Sequence, residues 1–253
     1  MARNNTVDAV RTTFALLKAL QEMGGAGVTR LADRVGVPKS TAHNHLSTLR
    51  EDDWVVKDAA NQYHLGYRFV DLAHHATQRV HIYDLVTDEV DRLADESGEM
   101  ALFTTEEHGM GVCLYRSVGQ DAIETPLYVG YRSALHHTAV GKAILAFLPE
   151  ERVHEIIDKH GLEQQAPHTI TDRDELLREL TEIRETGVAY NRQETIHGLV
   201  GVGVPIMNQD DSVAGAISII GPSSRMGPEQ PDEEYPAMIQ QSVNVIEINA
   251  TSI

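Results

Sequence analysis

The chain has 253 residues, of which 42% are hydrophobic, and a single cysteine, Cys113. That is enough apolar material for one or two packed domains. One thiol excludes an intrachain disulfide and a multi-cysteine zinc site. No apolar run approaches the roughly 20 residues of a bilayer-crossing helix, and the polar start Met1–Thr6 leads into no signal-peptide core, so a cytoplasmic protein with no membrane partner is expected.

The formal charge of −17 is unevenly spread. Residues 1–75 hold nine basic and eight acidic residues, a net +1, which leaves −18 for the remainder. Such asymmetry suggests separate jobs for the two parts, and it removes the objection that an acidic chain should avoid nucleic acid. Only five of the 21 basic residues are lysines (18, 39, 57, 142 and 159). An acidic, lysine-poor composition is similar to that of proteins from salt-accumulating halophiles; the bland alternative is an acidic mesophilic protein.

In chain order, Asn5 or Thr6 can cap a helix in which Val7, Val10, Phe14, Leu17 and Leu20 recur at helical spacing, ended by Met23-Gly24-Gly25. A second helix, capped by Thr29, carries Leu31, Ala32 and Val35 to Gly36. After Val37-Pro38, a third helix from Ser40 to about Arg50 buries Ala42, Leu46 and Leu49 and leaves Lys39, Ser40, Thr41, His43, Asn44 and Ser47 at its N-terminal end and outer side. Helix, glycine-containing turn, helix is the helix-turn-helix pattern, and small hydroxyls and amides on the second helix suit a major groove. Trp54–Val56 and Gln62–Leu65 form two strands around the turn Lys57–Asn61, a wing that offers Lys57 to phosphate. Taken alone, such a module also serves protein contacts.

Phe69 to about Gln78 reads as a connecting helix, and Tyr83–Ser97 as an amphipathic helix closed by Gly98. Strands are expected at Met100–Thr105 and Val112–Ser117, then helices at Thr138–Leu148, Glu150–Lys159 and Arg173–Glu185. Strands at Val188–Gln193, Val200–Met207 and Val213–Ile220 follow, with Asn208–Ser212 as a hairpin turn, before a last helix over about Glu233–Asn249. This order predicts an α+β fold with an antiparallel sheet. The expected boundaries are 1–66 for the winged helix-turn-helix, 67–81 for a linker helix and 82–253 for the larger domain.

Three stretches resemble one family. Thr29–His43 with Leu46 and Leu49, then Tyr63-His-Leu-Gly-Tyr-Arg68, look like the DNA-binding half of IclR-type regulators, with Asp53 where such proteins often place glycine. Gly130–Pro149 is similar to their ligand-domain signature, and Ala214–Arg225 resembles their closing motif. The resemblance implies a winged helix-turn-helix, a linker helix and a GAF-like effector-binding domain, an antiparallel sheet with flanking helices. It also implies a homodimer or homotetramer on a roughly palindromic double-stranded operator, a small-molecule effector and no catalysis. Carried over, its pocket falls on Leu127, Tyr128, Ala139, Val140, Asn191, Gly201, Ser218 and Ile220; Glu194 and His197 are added because the chain approaches the pocket there. The free N–H groups at the helix start Thr138–Lys142 suit a carboxylate, so an organic or sugar-derived acid is the expected effector.

His136-His137 with Cys113 or His197 invites a metal reading, but adjacent histidines on a strand point to opposite faces, and no HExxH, GxGxxG, Walker or GxSxG sequence is present. No metal, cofactor or catalytic residue is therefore expected. An enzyme with an accessory winged domain and a protein-interaction module are the rival readings that the residues leave open.

Overall fold

A computed structural model describes residues 6–227 and 233–251 of the chain, which divides into two compact units, Met1–Arg79 and Val80–Ile253. Asn5 lies outside the described residues, and the first helix, α1 (Asp8–Met23), begins after Val7, so Thr6 does not cap it. Its end at Gly24 (φ 63°) is the left-handed stop that Met23-Gly24-Gly25 predicts. Helix α2 (Val28–Val35) starts one residue before Thr29, with Gly27 at the cap, so the Thr29 hydroxyl does not cap it either. Gly36 (φ 75°) turns the chain into α3 (Lys39–Glu51). Leu16, Leu20, Leu31, Ala42, Leu46 and Leu49 close a small core between the three helices. Strands β1 (Val55–Lys57) and β2 (Tyr63–Leu65) pair antiparallel as the wing. Helix α4 (Arg68–Thr77) buries none of its residues, although Phe69 packs on Trp54 at 5.0 Å between ring centroids.

The second unit opens with α5 (Tyr83–Ser97), stopped by Gly98 at φ 71°. Strands β3 (Met100–Glu107) and β4 (Met110–Val118) run longer than their apolar cores suggest, because His108 (φ 57°) and Gly109 (φ 86°) join them in a two-residue turn. Strand β5 (Arg132–Ala134) is too short and too polar to announce itself. Helices α6 (Ala139–Phe147), α7 (Glu150–His160) and α8 (Arg173–Thr186) come next. Strands β6 (Ala189–Arg192), β7 (Leu199–Met207) and β8 (Val213–Pro222) lead to the one-turn α9 (Ser223–Met226) and to α10 (Glu234–Ala250). One antiparallel sheet results, in the order β5-β4-β3-β8-β7-β6.

The pleat sorts this sheet into two cores. Ala101, Phe103, Val202, Val204, Ile217 and Ile219 face α5 and α10. Met100, Leu102, Ala216 and Ile220 face the other way, in one core with residues of α6, α7 and α8. On β7 the valines belong to the first face, so Gly201 and Gly203 fall on the second. A Cβ at Gly203 would stand 2.8 Å from the Ala139 carbonyl carbon and 2.9 Å from the Val140 nitrogen. Real Cβ atoms essentially never approach that closely, so a bare Cα is what lets the first turn of α6 lie directly on the sheet.

Candidate functional site: an exposed helix face and a buried cavity

In the first unit, α3 turns Lys39, Ser40, His43 and Asn44 to solvent, while Thr41 and Ser47 are half-buried at the margin of the core. Lys57 is exposed on β1, its ammonium 5.3 Å from the Tyr63 ring centroid. His45, on the same helix, is drawn inward: its Nδ1 lies 2.8 Å from Thr13 Oγ1 and ties α3 to α1. At Asp53 the backbone takes the left-handed conformation (φ 60°) that a glycine would enter freely. The wing therefore keeps the turn with an aspartate in it.

In the second unit a cavity of about 530 Å³ lies among β3, β5, β8, the start of α6 and the segments around Leu127 and Thr195. Of the ten residues expected at a pocket, Leu127, Ala139, Val140, Asn191, Ser218 and Ile220 line it. Four do not. Tyr128 turns outward and is 51% exposed, edge-on to Tyr131. Gly201 lies beneath Ile220, whose Cγ2 would be 2.7 Å from a Cβ there. His197 is exposed. Glu194 is buried but points to an ion pair, with Oε1 accepting from Lys142 Nζ at 2.6 Å. The first two were carried over by position in a motif, which fixes a strand and not the direction of a side chain one residue along.

At the cavity's floor the helix start is built in detail. Thr138 Oγ1 accepts from Gly141 N at 3.0 Å, and the Thr138 carbonyl accepts from Lys142 N at 2.9 Å. The N–H groups of Ala139 and Val140 have no acceptor inside the helix and carry the positive end of its dipole. Ser218 pairs across the sheet with Gly203, the residue that seats this turn. Its hydroxyl is buried with no hydrogen-bond partner. Asn191 is different: its Oδ1 accepts from Glu194 N at 2.8 Å and its Nδ2 donates to Thr195 Oγ1 at 2.8 Å, so both ends of the amide are already used.

His136 and His137 also line the cavity, in a turn rather than on a strand, with ring centroids 4.9 Å apart. His136 Nε2 donates to the Glu163 carbonyl at 3.1 Å. His137 Nδ1 is buried without a partner, and burial, assisted by the neighbouring His136, lowers its pKa to about 4. The ring is neutral at pH 7. Cys113 is on the wall too, its thiol pushed up to about 11 by burial. Arg132, which lines the cavity at one edge, is ion-paired with Glu107 at 2.9 Å. Among the described residues no three His, Cys, Asp or Glu side chains gather closely enough to hold a metal ion. Sequence reading missed His137, Cys113 and Thr195 as wall residues; the family-like stretch contained the first, and nothing local marked the others.

Two family models match the chain in succession: the IclR helix-turn-helix domain over residues 9–59 and the bacterial transcriptional regulator IclR C-terminal domain over residues 74–248. The chain belongs to the IclR family. A relative described as the probable HTH-type transcriptional regulator ArcR of Halobacterium salinarum is 31% identical, over 96% of this chain and 93% of its own. The crystal structure of Thermotoga maritima IclR superposes with a TM-score of 0.82 at 26% identity, covering 96% of this chain and 98% of that one. An IclR homolog from Microbacterium hydrocarbonoxydans, solved in complex with 4-hydroxybenzoate, shares the fold with a TM-score of 0.86 at 20% identity, over 97% of this chain and 100% of that one. This IclR protein is thus a DNA-binding transcription regulator and not an enzyme.

Proposed function

We propose that this regulator binds a small carboxylic acid, organic or sugar-derived, in the 530 Å³ cavity, and that binding alters operator recognition. The acid group lies at the N-terminus of α6, on the N–H groups of Ala139 and Val140, with the Ser218 hydroxyl as a further donor. The observation that carries this reading is the unpartnered Ser218 Oγ, set across from the glycine that seats that helix start. An anion at a helix N-terminus is favoured by only about 0.3–2 kcal/mol, so hydrogen bonds and shape supply the rest. The apolar walls, among them Leu102, Leu127, Val140 and Ile220, suit the carbon skeleton. 4-Hydroxybenzoate, bound by the Microbacterium relative, is itself a carboxylic acid.

In the same reading residues 1–66 bind DNA, 67–81 link and 82–253 sense. Lys39, Ser40, Thr41, His43, Asn44, Ser47 and Lys57 meet the operator, bases through the hydroxyls and amides and phosphates through the lysines. A homodimer or homotetramer places two such modules on a roughly palindromic site. The working compartment is the cytoplasm; no described helix is long and apolar enough to cross a membrane. The acidic, lysine-poor composition, together with the Halobacterium relative, supports a salt-adapted protein.

Thermal-shift screening of small carboxylic acids followed by calorimetry tests the pocket, because a ligand of the native state alone raises its melting temperature. Ser218→Ala is expected to weaken the best acid by about 1.5–3 kcal/mol, the loss of a hydrogen bond to a charged group, and to leave ligand-free operator affinity unchanged. Undiminished acid binding by the variant overturns the assignment.

A further inference from the structure

Glu194 stands 2% exposed, against a lysine that is fully buried. Lys142 Nζ donates at 2.6 Å both to Glu194 Oε1 and to Glu179 Oε1 of α8. The same Glu194 oxygen accepts from Arg192 N at 3.0 Å, whereas Oε2 is buried with no partner. The whole hold on this carboxylate therefore runs through Oε1. Its backbone is pinned as well. The Glu194 carbonyl accepts from Thr169 Oγ1 at 2.6 Å, and that hydroxyl accepts from Ala166 N at 2.8 Å.

From Glu194 a chain of hydrogen bonds runs to the cavity. Glu194 N donates to Asn191 Oδ1, Asn191 Nδ2 donates to Thr195 Oγ1, and Thr195 Oγ1 donates at 2.8 Å to the His137 carbonyl, next to the residue that caps α6. Thr195 and Ile196, which line the cavity, sit on the turn between β6 and β7. That turn begins at Gln193 in a left-handed conformation (φ 63°), a cost that surrounding contacts must offset. Ile196, on the same turn, is exposed and contributes no buried side chain to hold it.

We propose that Glu194 is a positioning residue of the effector cavity: clasped by buried Lys142, it holds the wall formed by Thr195 and Ile196 against the α6 start without touching a ligand. The consequence for effector affinity rests on the reading of the cavity given above; the clasp itself does not. Removing the Glu194 carboxylate leaves Lys142 paired with Glu179, so the buried ammonium keeps an anion. The wall keeps its backbone hydrogen bonds but loses the carboxylate clasp, one of its anchors, and opens more often.

Cys113, the one cysteine in the chain, lines the same cavity and reports that opening with no effector present. N-ethylmaleimide labelling, followed by mass spectrometry of the full-length protein, is expected to run about tenfold faster in Glu194→Ala than in wild type, equivalent to about 1.4 kcal/mol less for local opening. Thr195→Val cuts the hydrogen-bond chain and leaves the ion pair intact; it should accelerate labelling similarly. Glu89→Ala, which breaks the Arg92–Glu89 pair instead, should not. Wild-type rates in both wall variants, acceleration in Glu194→Ala without Thr195→Val, or equal acceleration in Glu89→Ala each overturn the proposal. Should Glu194→Ala fail to fold, Thr195→Val against Glu89→Ala decides alone. Because no ligand enters this measurement, its failure is separate from failure of the Ser218 titration.

Discussion

The two units handle their polar side chains in opposite ways. In the first, a core built on Leu16, Leu31 and Leu46 leaves His43 and Asn44 in water on α3, ready for a partner that brings its own polar edges. In the second, Ser218 and His137 are buried with atoms that find no partner, and Asn191 and Thr195 spend their hydrogen bonds inside the fold, on each other, on Glu194 N and on the His137 carbonyl. A surface reader keeps its functional groups hydrated until DNA arrives. A cavity reader carries a standing cost, since a buried unsatisfied polar atom is worth about 1–3 kcal/mol against folding, and a ligand relieves it. Charge divides the same way, with +1 in residues 1–75 and −18 beyond.

The largest test of this contrast is salt. If the acidic second unit is salt-adapted, its self-repulsion is screened at 1 M, where the Debye length is about 3 Å, and much less at 0.1 M, where it is about 10 Å. Dilution should unfold it while the near-neutral first unit holds. Trp54 is the one tryptophan and sits in the first unit, so its fluorescence follows that unit while far-UV circular dichroism follows both. A dichroism signal that survives dilution unchanged removes salt adaptation and leaves the regulator intact. On the DNA side, replacing His43 and Asn44 together with Ala should abolish discrimination between operator and random DNA, at about 1–3 kcal/mol per lost base contact. Lys39→Ala should weaken both DNAs alike, because a phosphate contact carries no sequence information. Retained discrimination in the double variant, measured by titration at fixed salt, means that α3 is not the reading helix.

The same division explains what the sequence made legible. Apolar spacing shows which face a helix buries, and by subtraction which residues it exposes; that reached α3, and strand-like composition reached the existence of β7 and β8 though not their faces. Glycine stops at Gly24, Gly36 and Gly98 were equally plain. The cavity needed more. Gly201 and Gly203 share one face of the pleat, and which of them meets α6 depends on where a helix some 60 positions earlier in the chain settles, while the Glu194 carboxylate is held through a lysine on that helix. Tyr128 and Gly201, carried over from a motif, and His197, added because the chain approaches the pocket there, miss the cavity for the same reason: sequence gives neighbourhood, and side-chain direction comes from tertiary contacts.

His137 offers a smaller test on the cavity side. Its pKa in the fold is about 4, pushed below the ordinary 6.5 chiefly by burial, so the unfolded chain binds a proton that the folded chain refuses. Stability from this group is complete above about pH 6.5 and is lost as pH falls towards 4. At pH 5 the loss relative to pH 8 is about 2 kcal/mol. His137→Gln removes the titration, so its stability, measured by denaturant unfolding in constant high salt, should fall less between pH 8 and 5. Glu194, raised by burial, works in the opposite sense, which is why the comparison is with the variant and not with a theoretical curve. Parallel losses in both proteins would show that the ring is not buried neutral.

The smallest effect returns to the wing. Asp53 holds φ 60°, where a Cβ costs energy and aspartate is among the side chains that tolerate it best. Its carbonyl lies 2.4 Å from where a Cβ on Gly66 would stand, so the turn is packed against the end of β2 and cannot relax to another conformation. Asp53→Gly relieves the strain but gives the unfolded chain more freedom, and the two terms nearly cancel. Removing one carboxylate also raises the net charge of the first unit above the +1 that residues 1–75 carry. The expected outcome is a change of no more than about 0.5 kcal/mol, towards a gain, in the first unit, seen as a small rise in the Trp54 melting transition with the second unit's transition unmoved. A loss of stability would mean that the aspartate side chain contributes more to this turn than its backbone strain takes away, and that the departure from glycine is a stabilising choice.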